Sequence, residues 1–167
     1  MGSDPSMQDR RTPRWLFDLL AERFGPFALD AFAEEHNALC PRYIGASDDG
    51  CRQRWEDVTF ANPPFALMGD AVEQAVRESR HGVRSVVIGP AGCSQRWYHE
   101  HAIRGTIYVP DRRVNYDLPD GTPTHGADRD SIVIAFGGAH ANSAGNVRRG
   151  VFAVKRLGLR RETPAAS

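Results

Sequence analysis

Two consecutive prolines, Pro63 and Pro64, place the tightest local constraint on this chain. They follow Asp57-Val58-Thr59-Phe60-Ala61, an alternating run that reads as a short strand. Each proline fixes φ and removes an amide donor, so neither strand nor helix continues through the pair. Asn62, standing before a proline, is held out of the helical region. Asn62-Pro63-Pro64-Phe65 is therefore a stiff loop at a strand end, with one amide and one aromatic ring in fixed relation. Such a rim suits a planar amine. The Asn62 oxygen and the Pro63 carbonyl each accept one amino hydrogen, and Phe65 stacks on the ring that carries the amine. Drawing both hydrogens out of the ring plane turns the nitrogen lone pair toward an electrophile. The plainer alternative is a rigid surface turn, since Asn-Pro opens many turns.

The 167 residues, 41% of them hydrophobic, suffice for one globular domain with a real core. The expected division is a flexible start over 1–11, one domain over 12–159 and a flexible end over 160–167. Formal net charge is zero, which gives no global pull toward nucleic acid or membrane. The positive charge is nearly all arginine, Lys155 being the single lysine, and arginine suits phosphate forks and base edges. No apolar run approaches the ~20 residues that span a bilayer. Met1 to Arg14 is polar, so no signal peptide is expected. Cys40, Cys51 and Cys93 are odd in number and widely spaced, which predicts reduced thiols and a cytoplasmic protein. His99 and His101, with Cys93 nearby, fit no common zinc signature, and no metal is expected.

Thr12-Pro13 reads as a helix start, with Thr12 as N-cap, followed by Trp15, Leu16, Leu19, Leu20 and Phe24 at helical spacing. Gly25-Pro26 ends that helix. Pro26 to Asp30 is an apolar run ending in an acid, a buried strand whose carboxylate emerges where open α/β sheets bind ligands. Ala31 to Cys40 reads as a short helix, Arg42 to Ala46 as a strand, and Ser47-Asp48-Asp49-Gly50 as a turn. Further along come an amphipathic helix over 70–80, a buried strand around Val86-Val87-Ile88, and a helix over 94–102 with Trp97 turned inward. A strand over 105–109, a polar stretch over 110–129 and the apolar strand 131–137 follow, and 147–159 adds a last strand or helix. Alternation of this kind predicts a mostly parallel sheet with helices on both faces. No convincing helix joins the strands at 105–109 and 131–137, so they are expected to be antiparallel neighbours. A parallel sheet with an antiparallel edge hairpin is the class I methyltransferase pattern, a Rossmann-like fold.

Several features in order then resemble the small phage-type DNA N6-adenine methyltransferases, the Dam-like family. They are Thr12-Pro13 before a Leu-rich helix, Phe27-Ala28-Leu29-Asp30 before Ala31-Phe32-Ala33, Asn37-Ala38, Tyr43, and Trp55 ahead of the tetrapeptide. Val86-Val87-Ile88-Gly89-Pro90, Trp97 and Asp130-Ser131 continue the match. The resemblance implies S-adenosylmethionine as cofactor and the exocyclic amine of DNA adenine as acceptor, with the adenine flipped from the duplex. It places Thr12 and Pro13 near the methionine part and Asp30 at its amino group. It puts Asp48 or Asp49 at the ribose or adenine edge, and Asn62 and Phe65 at the target base. Two departures stand out. No glycine follows the first strand, and Phe65 stands where tyrosine is commoner.

Each candidate has a plain structural alternative: Asp30 as a helix cap, Phe65 as core, Asp48 and Asp49 as solvated turn formers. No separate recognition domain is expected within these residues. The expected DNA contacts are Arg112, Arg113 and Arg129 in the polar stretch, with Arg148-Arg149 and Arg160-Arg161 on phosphates. A monomer or homodimer is expected, serving phage or mobile DNA, in the host cytoplasm if phage encoded, and protecting it from restriction. The competing functions are the same chemistry on RNA adenine or a protein glutamine amide, and a non-catalytic DNA-binding relative.

Overall fold

The computed structural model describes residues 10–127, 129–140 and 154–159. Helices α1 (Arg14–Phe24), α2 (Met68–Ser79) and α3 (Arg96–Glu100) pack against a sheet. Its strands are β1 (Leu29–Asp30), β2 (Arg42–Tyr43), β3 (Thr59–Ala61), β4 (Ser85–Pro90), β5 (Thr106–Pro110), β6 (Ser131–Phe136) and β7 (Val154–Leu157). The spatial order is β2-β1-β3-β4-β6-β5-β7. Neighbours pair in parallel except at β6, which runs against both β4 and β5. This is the mixed, largely parallel α/β arrangement expected of a class I methyltransferase. The expected antiparallel hairpin is β5 and β6, towards one edge of the sheet, with β7 added in parallel outside β5.

Strand alternation sorts the core into two layers. Phe60, Val86, Ile88, Val133 and Ala135 face one side and bury Leu16, Phe17 and Leu20 of α1. Ala61, Val87, Ile132, Ile134 and Phe136 face the other and bury Met68, Val72, Ala75 and Val76 of α2. Leu16 and Leu20 are fully buried, and each such side chain contributes roughly 1.5–3 kcal/mol. That gives α1 and α2 their place on opposite faces of the same strands.

Three local expectations need correction. Ala31 to Cys40 forms turns rather than a helix: Asn37 and Ala38 donate to the Glu34 carbonyl, and the Asn37 side chain accepts from the Glu34 amide. The amides of Phe32 and Leu39 are drawn to the Asp30 carboxylate instead of to helical carbonyls. Thr12 does not cap α1. The N-cap is Pro13, with no side-chain cap bond, and the Thr12 hydroxyl is taken by Asn62. Of the two alternatives for the end of the domain, the described part is a strand, parallel to β5 with Ile107 opposite Val154. Helix α3 is also shorter than the stretch 94–102 suggests, with a 3-10 turn at Ala102–Arg104 behind it.

Candidate active site

β1 has β2 on one side and β3 on the other, so the chain changes direction between them. Such a switch point leaves a crevice beyond the carboxyl ends of the strands. Asp30 is the last residue of β1 and lies in register with Phe60, which puts Asn62 two residues further out on the neighbouring chain. Both line a cleft of 640 Å³, together with Thr12 and Pro64. Arg10, Arg11, Arg14 and His36 contribute to its walls, as do Glu34 and Asp117, so the lining carries both signs of charge.

Asp30 is 3% exposed. Its Oδ1 accepts from the Phe32 amide at 3.4 Å and its Oδ2 from the Leu39 amide at 3.2 Å. Burial pushes the carboxyl up to about 6, and the two amides only partly oppose it. No guanidinium or ammonium pairs with Asp30 among the described ion pairs. A carboxylate so placed is stabilised by any cation that enters the cleft.

The amide of Asn62 is fixed by its own donors. Nδ2 donates to the Arg10 carbonyl at 3.1 Å and to Thr12 Oγ1 at 2.9 Å. A main-chain carbonyl can only accept, so the nitrogen must face it, and Oδ1 is turned the other way. Behind it the chain tightens into a 3-10 turn at Phe65–Leu67 that runs directly into α2. The proline pair thus joins a buried strand to a buried helix with no slack between them.

Phe65 lines an adjoining hollow of 350 Å³ with Pro90, Val114, Tyr116, Thr124 and His125. Its ring meets that of Tyr116 edge-on, with centroids 6.4 Å apart at 76°. Tyr116 is buried, donates from its hydroxyl to Ser131 Oγ at 3.1 Å, and has its pKa raised by burial to about 12. Arg10 lines this hollow and the larger cleft alike. The segment holding Arg10 is fastened down by a reciprocal pair of bonds between the main chains of Arg11 and Asp117, both 2.9 Å.

The structure therefore brings Thr12, Asp30, Asn62 and Pro64 to one cleft and Phe65 to the next. Pro63 is buried between them, and Pro13 stands at the head of α1. Asp48 and Asp49 are not brought into the cleft. Asp48 lines a separate hollow of 270 Å³ with Arg42, Gln53 and Arg54. Asp49, at φ 55, accepts from the Cys51 amide and pairs with Arg52. Arg129 lines the hollow beside Phe65. Arg113 braces its own loop, reaching Asp130 at 3.0 Å and the Ala127 carbonyl at 2.9 Å. Arg112 is exposed and lies 3.6 Å from Asp111. Arg148, Arg149, Arg160 and Arg161 lie outside the described residues, as do both segments expected to be flexible except residues 10 and 11.

Sequence reasoning passed over Arg10, Glu34, Tyr116, Thr124 and His125. Only the aromatic Tyr116 carried a local signal, an apolar ring two residues after Val114 in an otherwise polar stretch. Among the described residues no cluster of His, Cys, Asp and Glu could hold a metal, and no helix is long and apolar enough to cross a membrane.

Comparison with known proteins shows the family of the chain. A protein of Escherichia phage T1 named DNA N-6-adenine-methyltransferase is 29% identical over 92 residues, which cover 53% of this chain and 38% of the phage protein. YfdM of Escherichia coli (strain K12), provisionally named a methyltransferase, is 36% identical over 62 residues, covering 33% of this chain and 68% of YfdM. The chain thus spans well under half the length of the phage relative. The profile of the family described as DNA N-6-adenine-methyltransferase (Dam) matches residues 4–138. Since that match takes in both strand ends and the whole proline-locked rim, the chain belongs to the Dam family of DNA N-6-adenine-methyltransferases.

Proposed function

We propose that this protein transfers a methyl group from S-adenosylmethionine to the exocyclic N6 amine of adenine in DNA, in the service of phage or mobile DNA. The observation that carries the reading is the Asn62 amide. Its nitrogen is spent on Arg10 and Thr12, and among the described residues no donor takes its oxygen, in the same cleft as a buried carboxylate. Phe65 lies at the head of the next hollow.

The cleft fits the cofactor by its donor set. Asp30 suits the amino group of the methionine part, because a cation relieves the burial that raises its pKa. Arg10, Arg11 and Arg14 suit the carboxylate of the same zwitterion. Glu34, whose carboxylate also accepts the Ala46 amide at 2.8 Å, lines this cleft as Asp48 and Asp49 do not, and would hold the ribose hydroxyls. When bound, S-adenosylmethionine supplies an electrophilic methyl group. The residues of the chain do the rest. Asn62 Oδ1 and the Pro63 carbonyl accept the two N6 hydrogens and aim the lone pair at the cleft. Phe65 stacks on the base, while Tyr116 and Val114 keep water off its other edges. Positioning of this kind supplies most of the acceleration in a reaction whose electrophile is already activated. Arg112, Arg113 and Arg129 stay as phosphate contacts for the duplex.

The test is incubation with labelled S-adenosylmethionine and separate pools of unmethylated duplex DNA, RNA and protein. Label in the N6 position of DNA adenine is expected. Label confined to RNA or protein overturns the acceptor, and DNA binding without cofactor binding marks a non-catalytic relative.

A further inference from the structure

We propose that the turn after β4, built on Trp97, is a base-reading subsite for the nucleotide next to the methylated adenine. This rests on the function proposed above. A hollow of 730 Å³ lies between the start of α2 and the turn at 91–95. It shares Phe65, Pro90, Arg129 and Asp130 with the hollow proposed for the target adenine, so the two make one trough along the carboxyl edge of the sheet. A strand whose adenine sits against Phe65 has its neighbouring nucleotide over this second half.

The floor is aromatic and rigid. Trp97 is half-buried and packs against the α2-side core. A Cβ on Gly92 would fall 2.7 Å from its Cζ2, and one on Gly69 would fall 3.2 Å from its Cδ1. Neither glycine has a positive φ, so close approach of backbone to the indole is what they provide. The indole is thus held by close main chain at its two ends, as a plate rather than a swinging side chain. A flat ring held in this way favours nucleobases of any kind by stacking.

The rim gives the choice among them. Ser94 and Gln95 are exposed on a turn closed by the Gln95 amide on the Gly92 carbonyl at 2.9 Å. Asp70 and Asp130 add two carboxylates on the trough wall. Asp130 is held by Arg113 at 3.0 Å, and Arg129 on the same wall is kept for the phosphate, so Asp70 is the carboxylate left to an edge that presents an amino group. Gln95 offers the matching pair of donor and acceptor for adenine, and a carboxylate accepts from the amino group of cytosine. The subsite therefore prefers adenine or cytosine over guanine or thymine at one position flanking the target.

The experiment uses the full chain with labelled cofactor and a duplex library in which the bases on either side of one adenine are varied. The wild type is expected to favour an amino-bearing base at one flanking position by roughly tenfold. Gln95→Ala and Trp97→Leu should each flatten the preference at that position alone, while cofactor affinity and the pattern elsewhere stay unchanged. Gln95 is on the surface, so its variant reports even if Trp97→Leu lowers stability. An unchanged preference in Gln95→Ala, or a wild type indifferent to both neighbours, overturns the subsite. Failure of the wild type to label any DNA is a failure of the proposed function itself, and takes the subsite with it.

Discussion

Asn62 and Thr12, 50 residues apart, are joined by a hydrogen bond of 2.9 Å from the Asn62 side-chain nitrogen to the Thr12 hydroxyl. This bond, with its companion to the Arg10 carbonyl, decides which end of the Asn62 amide faces the cleft. The residue expected to cap a helix is instead the residue that orients the proposed catalytic amide.

Thr12→Val keeps the shape and removes the acceptor. The amide then loses half of its anchoring, and kcat should fall about tenfold, consistent with the ~1 kcal/mol or more that a buried hydrogen bond contributes. Cofactor affinity should stay within a few-fold, and Thr12→Ser should restore the rate. Stopped-time methylation assays with a parallel cofactor titration separate the two effects. Equal loss of rate and cofactor binding would argue that Thr12 only holds the fold.

Asn62→Ala removes the acceptor itself. Turnover should drop by at least roughly 100-fold, the scale of losing one preorganised polar partner of the reacting group. Calorimetry should still show cofactor binding, because the Asp30 end of the cleft is untouched. Unchanged turnover would refute the role given to Asn62.

Phe65→Ala should raise the KM for DNA by roughly 10- to 100-fold, the range for losing a base-stacking ring worth ~1–3 kcal/mol. Phe65→Tyr preserves the stack and should stay close to wild type. Steady-state kinetics over a range of DNA concentrations distinguish the pair.

The Asp30 carboxyl titrates near 6 when folded, against an ordinary 3.8, because burial disfavours its charge. A group whose folded pKa is raised binds more protons in the folded state. Its favourable contribution is present below pH 3.8 and is lost as pH rises through about 6. Without cofactor, Asp30→Asn should therefore gain on the wild type above pH 6, by up to about 3 kcal/mol, and the gap should close near pH 4. Urea melts at both ends of that window measure it. Cofactor affinity should weaken below pH 6, since protonation removes the charge the ammonium pairs with. An affinity independent of pH from 5 to 8 would remove Asp30 from the cofactor site.

Much of this was legible in the residues, for local reasons. Leu16, Leu20, Val72 and Val76 follow helical spacing, Val86 to Ile88 is too apolar for anything but a buried strand, and two prolines forbid all but a rim at Asn62. Asp30 at the carboxyl end of its strand followed from an apolar run that ends in an acid. What escaped depends on partners far along the chain. Ala31 to Cys40 has a helical composition, yet its amides answer to the buried Asp30 carboxylate. Thr12 has the chemistry of a cap, but its hydroxyl is claimed from Asn62. The wall made by Tyr116, Thr124 and His125 belongs to a stretch whose composition says only loop. Asp48 and Asp49 looked like ligands for a polar group, and their own turn uses Asp49 to hold Cys51 and Arg52.

The one reversed strand among the described residues has a consequence for the loop that follows β5. Because β6 runs against β4, Ser131 begins at the same rim where Pro90 ends. The twenty residues between Pro110 and Ser131 can then bow over that rim and return without crossing the sheet. A parallel strand in the same slot would have needed a crossover to the opposite rim, carrying Tyr116, His125 and Arg129 away from the pocket. Turning one strand around thus hangs a canopy over the hollow beside Phe65.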